Sequence, residues 1–208
     1  MASRLLAPLI EAFQAKYPDL RVDLIMTDRR LDLANGEAEV AVRMHEPGDA
    51  SLIARKIAAS WWALYASRSY IERYGRPQRW EDLDDHSVII FGGDMADNRA
   101  SLWLRNAAPR ARIAARSNSM LGALAAVKSG AGLAPLPMLL GGSEDGLVPV
   151  LAPIPELSSN IYLVMHSDLR STARVRAFCD FMATEIVRFR SLLMQQSEKA
   201  DFGSTPKP

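Results

Sequence analysis

Short apolar runs with strand character alternate with helical stretches along most of this chain, and that alternation constrains the fold more than any single motif. Leu5, Leu6, Leu9, Ile10, Phe13 and Tyr17 recur at helical spacing, and Tyr17-Pro18-Asp19 ends that helix. Pro8 fits a first turn, although with Ser3 as the cap it leaves the Arg4 carbonyl unpaired. Leu20, Val22, Leu24 and Met26 then alternate as a strand, and residues 28–35 read as a short helix stopped by Asn35-Gly36. Ala38–Val42, apolar except for Glu39, reads as a strand covered on both faces.

The pattern continues through the rest of the chain. Leu52–Ala58 and Trp61–Ala66 are strand-like, with Trp61 and Trp62 read as strand-core and surface aromatics rather than ligand stackers. Ser67 and Ser69 are candidate caps for a helix Tyr70–Tyr74, with Gly75 at its end and Pro77 beyond. His86–Phe91 and Ala111–Ala115 are further strands. Ser117-Asn118-Ser119 caps a helix Met120–Ser129 closed by Gly130. Leu133–Leu136, Leu147–Leu151 and Ile161–Met165 complete the strands. A long helix then runs from Ser171 to Arg190, with Val175, Phe178, Cys179, Met182, Ile186 and Phe189 on one face. This order predicts an α/β architecture with mainly parallel sheet. Residues 191–208 are expected to be a tail, polar and disordered after Ala200.

Composition narrows the function classes. At about 150 residues per domain, the 208 residues make between one and two domains, and 49% hydrophobic content supports a sizeable core. A net charge of +1 provides no strong field toward nucleic acid or membrane. The single Cys179 excludes an intramolecular disulfide framework and suits a reducing cytoplasm. The first residues lack the basic and apolar regions of a signal peptide, and no apolar run is long enough to span a bilayer. The expected location is therefore cytoplasmic.

Catalytic signatures are absent. His45, His86 and His166 are far apart, with no HExxH or CxxC around them, so no metal is expected. Cys179 lies on the apolar helix face and reads as a buried structural thiol. Gly130-Ala131-Gly132 follows a helix and opens a strand, the reverse of a dinucleotide loop, and reads as a helix stop. Asp84-Asp85 reads as a solvated turn. No cofactor and no enzymatic activity are expected.

Binding chemistry is present at strand ends, where α/β folds bind ligands. Ser3 and Ser117-Asn118-Ser119 open helices, whose free N–H groups and partial positive charge suit an anion or carboxylate. Arg43 ends the run EVAV and can contact a carboxylate with two N–H groups, and Thr27 ends the neighbouring strand. Each serine also has a simpler reading as an N-cap, and Arg43 as a salt bridge to Glu46 or Asp49.

Together these segments resemble a known family. PLIEAFQAKYPDLRVDLIMTD, LDLANGEAEVAVRM, DASLIARKIAASWWALYASRSYIERYGRPQRWEDLDDHSVI, SNSMLGALAAVKSGAGLAPLPMLL, DGLVPVLAPIPELSSNIYLVMH and STARVRAFCDFM are similar in order and spacing to the effector-binding domain of LysR-type transcriptional regulators. The resemblance implies a fold like that of type 2 periplasmic binding proteins. Two α/β subdomains, 1–66 plus 166–190 and 67–165, would be joined by two crossover strands with a small-molecule cleft between them. It places Ser3, Thr27, Arg43 and Ser117, Asn118 and Ser119 in that cleft, with Phe91 and Pro135 as second-subdomain wall positions. It implies a small anionic or carboxylate metabolite as effector, and a homodimer or higher homo-oligomer through helices 5–17 and 119–129. DNA would be bound only through a winged helix-turn-helix that this chain lacks, and no membrane is involved.

Most of the strand that precedes Ser3 in the family is also missing, so the first sheet is expected to show a gap or a substitute strand. Two competing readings share the fold: a solute-binding protein of a transporter, and a stand-alone DNA-free domain that pairs with full-length regulators.

Overall fold

The computed structural model describes residues 7–199, with the side chains of residues 8–186. The chain forms two compact units. One consists of the chain up to Ser60 together with the stretch from Ser159 into the last helix, and the other of Trp61–Ser158. The chain therefore passes between them at Ser60–Trp61 and Ser158–Ser159, several residues ahead of the expected boundaries at 66 and 165.

In the first unit, β1 (Val40–Arg43) and β2 (Leu52–Ser60) both pair antiparallel with β8 (Ser159–His166), in the order β1-β8-β2. Val40 faces Met165 and Arg43 faces Tyr162, while Leu52 to Ser60 run against His166 to Ser159. Helix α1 (Ala7–Lys16) and the start of α6 (Ala173–Lys199) supply the apolar cover. Leu9 and Phe13 at 1% exposure are the buried face of α1. The Phe13 ring packs 5.2 Å from Phe178 and 5.3 Å from Phe181 of α6. Val175, Cys179, Met182 and Ile186 are buried on α6 as the helical period requires. Phe189 lies outside the described side chains, and the helix itself runs through 191–199, where a tail was expected.

Two expected elements are not formed. Residues 21–27 pair with no described strand, and Leu24, Ile25 and Met26 are 48%, 54% and 49% exposed. A strand needs a neighbour for its N–H and C=O groups, and β1 is paired on its β8 side alone among the described residues. Residues 28–35 are not helical either. The Asp32 carboxylate takes the N–H groups of Ala34 and Asn35, a local competitor of helix bonding, and Gly36 turns the chain at φ 74°.

In the second unit, β3 (Trp62–Ser67) is buried along its whole length and lies between β6 (Ala134–Pro137) and β7 (Leu147–Pro149), antiparallel to both. Among the described residues, parallel pairing is confined to β4 (Ser87–Phe91) with β5 (Arg112–Ser117), and to the bridge from Val88 to Leu133 beside β6. Mainly parallel sheet was therefore the wrong expectation: β1, β2, β3, β6, β7 and β8 all pair antiparallel.

Helices α2 (Arg68–Tyr74), α3 (Arg99–Ala107), α4 (Met120–Lys128) and α5 (Met138–Gly141) cover these strands. The α3 helix was not anticipated, although Asn98 caps it and Ala100 and Leu104 are buried at helical spacing. Gly130, at φ 80°, ends α4, and a Cβ on Gly132 would come 2.5 Å from the Ser87 carbonyl oxygen. The glycine pair thus serves a helix stop and a close strand approach. Asp84 is not simply solvated: it accepts the Arg110 N–H at 2.8 Å and Arg110 Nε at 2.9 Å.

Tyr70 of α2, 2% exposed, ties this core to the turn before β4. Its hydroxyl accepts the Ser87 N–H at 2.9 Å and lies 3.2 Å from His86 Nδ1. Burial holds His86 below its ordinary pKa, against the opposite pull of Asp82 and Asp85.

Two measurements follow from this fold. In hydrogen exchange, the amides of residues 21–27 are expected to exchange far faster than those of β8; equal protection would reveal a pairing that the structure lacks. In the unfolded chain His86 takes up a proton near pH 6.5, whereas the folded chain resists until a lower pH. Stability is therefore expected to fall as pH drops below about 6.5. In urea titrations, His86→Gln should flatten this part of the profile, and an unchanged slope counts against it.

Candidate functional site

The first unit concentrates its polar groups around the end of β1. Antiparallel pairing sets Arg43 opposite Tyr162, and its half-buried side chain reaches the 27–37 loop. Nη2 donates to the Leu31 carbonyl at 2.8 Å. Nη1 is buried with no acceptor among the described residues, and neither Glu46 nor Asp49 forms the salt bridge that sequence allowed. An unmet buried donor costs on the order of 1–3 kcal/mol.

Nearby acids are bonded elsewhere. Glu37 accepts from Arg29 Nη1 at 3.1 Å and Nη2 at 2.9 Å, and from the Asp32 N–H at 2.6 Å. Asp32 also holds Asn35 through its side-chain amide at 2.8 Å. Asp49 accepts the Ser51 N–H at 2.9 Å and hydroxyl at 2.7 Å. These hydrogen bonds hold all three carboxyl groups below their ordinary pKa. For Asp49, the charges of His166 and Arg30 add to the effect. Burial, and then the charge of Arg30, lower the pKa of Arg43, with Asp49 and Asp32 pulling the other way. A guanidinium remains charged regardless. Thr27 is exposed at the loop's start, its hydroxyl accepting the Arg29 N–H at 3.1 Å. Ser3 lies outside the described residues.

The second unit carries the other set at the carboxyl ends of the parallel pair. Phe91 and Ser117 are register partners, and the Gly92 N–H donates to the Ser117 carbonyl at 2.9 Å. The next residues, Gly93 and Asn118, approach so closely that a Cβ on Gly93 would meet Asn118 Cβ at 3.4 Å. Ser119 Oγ accepts the Gly122 N–H at 3.0 Å and caps α4. Ser117 Oγ donates to the Ser119 carbonyl at 2.8 Å and accepts the Ser119 N–H at 3.2 Å. The capping reading of these serines is thus realised, which does not prevent the helix end from facing a ligand. Asn118 is exposed.

Phe91, at 1% exposure, and Pro135, buried in β6 opposite Leu64, present no open side-chain surface. Phe91 ends β4 and Pro135 lies in β6, an outer strand of the β6-β3-β7 sheet, and both side chains are buried.

Sequence reasoning missed the turn at 31–37 that receives Arg43; Asp32 followed by Asn35-Gly36, an acid placed to bond its own backbone ahead of a glycine, was the available signal. Among the described residues no group of three or more His, Cys, Asp or Glu is placed to hold a metal ion, and no helix is long and apolar enough to cross a membrane. Cys179 is 4% exposed, and burial pushes its thiol up to about 11, away from thiolate chemistry at neutral pH.

Two α/β units woven from one chain, with polar clusters at strand ends, define the class as a small-molecule-binding domain. The chain belongs to the LysR substrate binding domain family, which it matches over residues 1–186. It is 31% identical over 192 residues to an HTH-type transcriptional regulator of Xanthomonas campestris, covering 87% of this chain and 55% of that protein. It is 29% identical over 193 residues to the HTH-type transcriptional regulator CrgA of Neisseria meningitidis, covering 89% and 64%. The chain thus spans less than two thirds of the length of either relative.

Among solved structures, the CrgA regulatory domain, from a LysR-type transcriptional regulator of Neisseria meningitidis, is similar with a TM-score of 0.73 at 25% identity, covering 88% of this chain and 92% of that one. The effector domain of AmpR from Pseudomonas aeruginosa shares the fold, with a TM-score of 0.71 at 21% identity and coverage of 91% and 92%. The fold is accordingly the α/β, periplasmic-binding-protein-like type that the resemblance implied.

The Ser119 cap is open to test by urea unfolding. Ser119→Ala is expected to lower stability by about 1 kcal/mol; a neutral result would show that the hydroxyl is not needed to hold α4.

Proposed function

We propose that this chain is the sensing part of a cytoplasmic transcription regulator that binds a small anionic or carboxylate metabolite. The observation that carries the ligand class is Arg43: a guanidinium that has no ion pair among the described residues, with Nη1 buried and unmet by any of them. A carboxylate is the planar two-oxygen partner that such a group accepts best. In the first unit Thr27 and Arg43 would be effector-binding groups, with Ser3 adding a helix-end hydroxyl, and in the second unit Ser117, Asn118 and Ser119 would be. The protein would act by binding alone, with no bond made or broken. Binding would shift the balance of conformers, and a DNA-binding segment outside these residues would report that shift.

The regulator names of the relatives favour this over a transporter's solute-binding protein. Homodimer formation through helices 5–17 and 119–129 is part of the same reading. It is supported by the outward faces of α1 and α4, which carry the small or apolar residues Ala12 and Ala15 on the one and Leu121 and Ala125 on the other.

A thermal-shift screen of small carboxylates tests the reading. A hit is expected to raise the melting temperature of the wild-type chain, and Arg43→Ala to remove most of that rise while keeping a cooperative transition. A hit whose effect survives Arg43→Ala unchanged would remove Arg43 from the site.

A further inference from the structure

The turn at 31–37 carries a chemically labile side chain. Asn35 precedes Gly36, and no other asparagine of the chain precedes a glycine. A glycine has no side chain to shield its backbone nitrogen, which can therefore approach the amide carbon of the asparagine before it. Both residues are exposed, and a Cβ built on Gly36 would meet nothing within 4 Å. No neighbouring atom blocks closure of a ring there.

The turn engages both reacting groups. Asn35 Nδ2 donates to Asp32 Oδ2 at 2.8 Å, and the Asn35 backbone N–H donates to Asp32 Oδ1 at 3.1 Å. The Gly36 N–H donates to the Leu33 carbonyl at 3.3 Å. A carboxylate that accepts from a side-chain amide makes the amide carbon a poorer electrophile, and its negative charge opposes loss of the nearby Gly36 proton. The Asn35 bonds hold Asp32 below its ordinary pKa, so it is ionised at neutral pH.

We propose that Asn35-Gly36 is a site of spontaneous deamidation, restrained by Asp32, and that its conversion opens the turn that anchors Arg43. The Gly36 nitrogen forms a bond to Asn35 Cγ and gives its proton to solvent. The side-chain amide takes up a proton and leaves as ammonia. Water opens the resulting cyclic imide at either carbonyl, giving aspartate or isoaspartate. Water enters, ammonia departs, and nothing is oxidised or reduced. The product sets a second carboxylate where Asp32 had a donor, and like charges at that distance repel. Isoaspartate also lengthens the backbone by a methylene. Leu31, whose carbonyl accepts from Arg43 Nη2, directly precedes Asp32, so loosening this turn releases the guanidinium's anchor.

The test ages the 208-residue chain at mildly alkaline pH and follows it by ion exchange and peptide mass mapping. The same chain in guanidinium chloride is the unfolded reference. Conversion is expected at Asn35, seen as an added negative charge and the mass change of –NH2 to –OH, while Asn118, exposed but followed by Ser119, stays intact. Losing one hydrogen bond to a charged group corresponds to about tenfold in rate, so the folded wild type should convert about tenfold more slowly than the unfolded chain. Asp32→Ala is expected to recover most of that factor, and Asp32→Asn, which keeps an acceptor oxygen without the charge, to fall between. Gly36→Ala should slow conversion in the unfolded chain, where no turn is left to strain. In the purified converted chain, the amides of Ala34 to Glu37 should exchange about tenfold faster.

An Asn35 that stays intact in folded wild type and Asp32→Ala alike, while the unfolded chain converts, overturns the site. Equal rates in folded wild type, Asp32→Ala and Asp32→Asn overturn the restraint. Unchanged amide exchange in the converted chain overturns the opening of the turn.

Discussion

The first unit depends on one long-range pairing, the insertion of β8 between β1 and β2. Its residues Ile161, Leu163, Val164 and Met165 are all buried, so the strand is both the sheet's centre and part of its core. Residues 40–60 and 159–166 meet only because the chain leaves to build the second unit and returns. Closing so long a loop is entropically costly, and the burial of apolar surface against α1 and α6 offsets it. The position of Arg43 follows from the same pairing, since Tyr162 opposite it sets the register at the strand's end.

That register gives the charges around the 27–37 loop their meaning. A loop rich in Arg and Asp would ordinarily be a solvated surface with mutually cancelling charge. Here Asp32 is spent on its own turn, Glu37 on Arg29 and Asp49 on Ser51. Arg43 is anchored by a carbonyl, a partner that orients a guanidinium without neutralising it. The second unit works differently. Its polar groups at Ser117–Ser119 are already satisfied within the cap of α4, and what they present outward is the helix end itself.

Local patterns read well wherever a segment carries its own signal. Ser67 and Ser119 cap as expected, Gly75 and Gly130 take positive φ at helix ends, and the buried face of α6 follows the apolar period. The failures share one cause. Leu20–Met26 alternates like a strand but finds no partner among the described residues, and Leu24, Ile25 and Met26 lie exposed. The 28–35 stretch has helical spacing, yet Asp32 bonds the backbone first. In α3, the mixed sequence RASLWLRNA hides a helix whose cap is a single asparagine. Strand direction was misjudged because apolar runs look alike in parallel and antiparallel sheets when both faces are covered.

Residue type and short spacing sufficed for the class of fold, most helix ends and the absence of catalytic and disulfide motifs, and they marked candidate binding residues. A linear chain displays such features in full. Which acids neutralise which arginines, and that Phe91 and Pro135 are buried, emerged in the folded chain alone. Such pairings depend on distances between residues far apart in the chain, and charge in a sequence says nothing about where its counter-charge will fall.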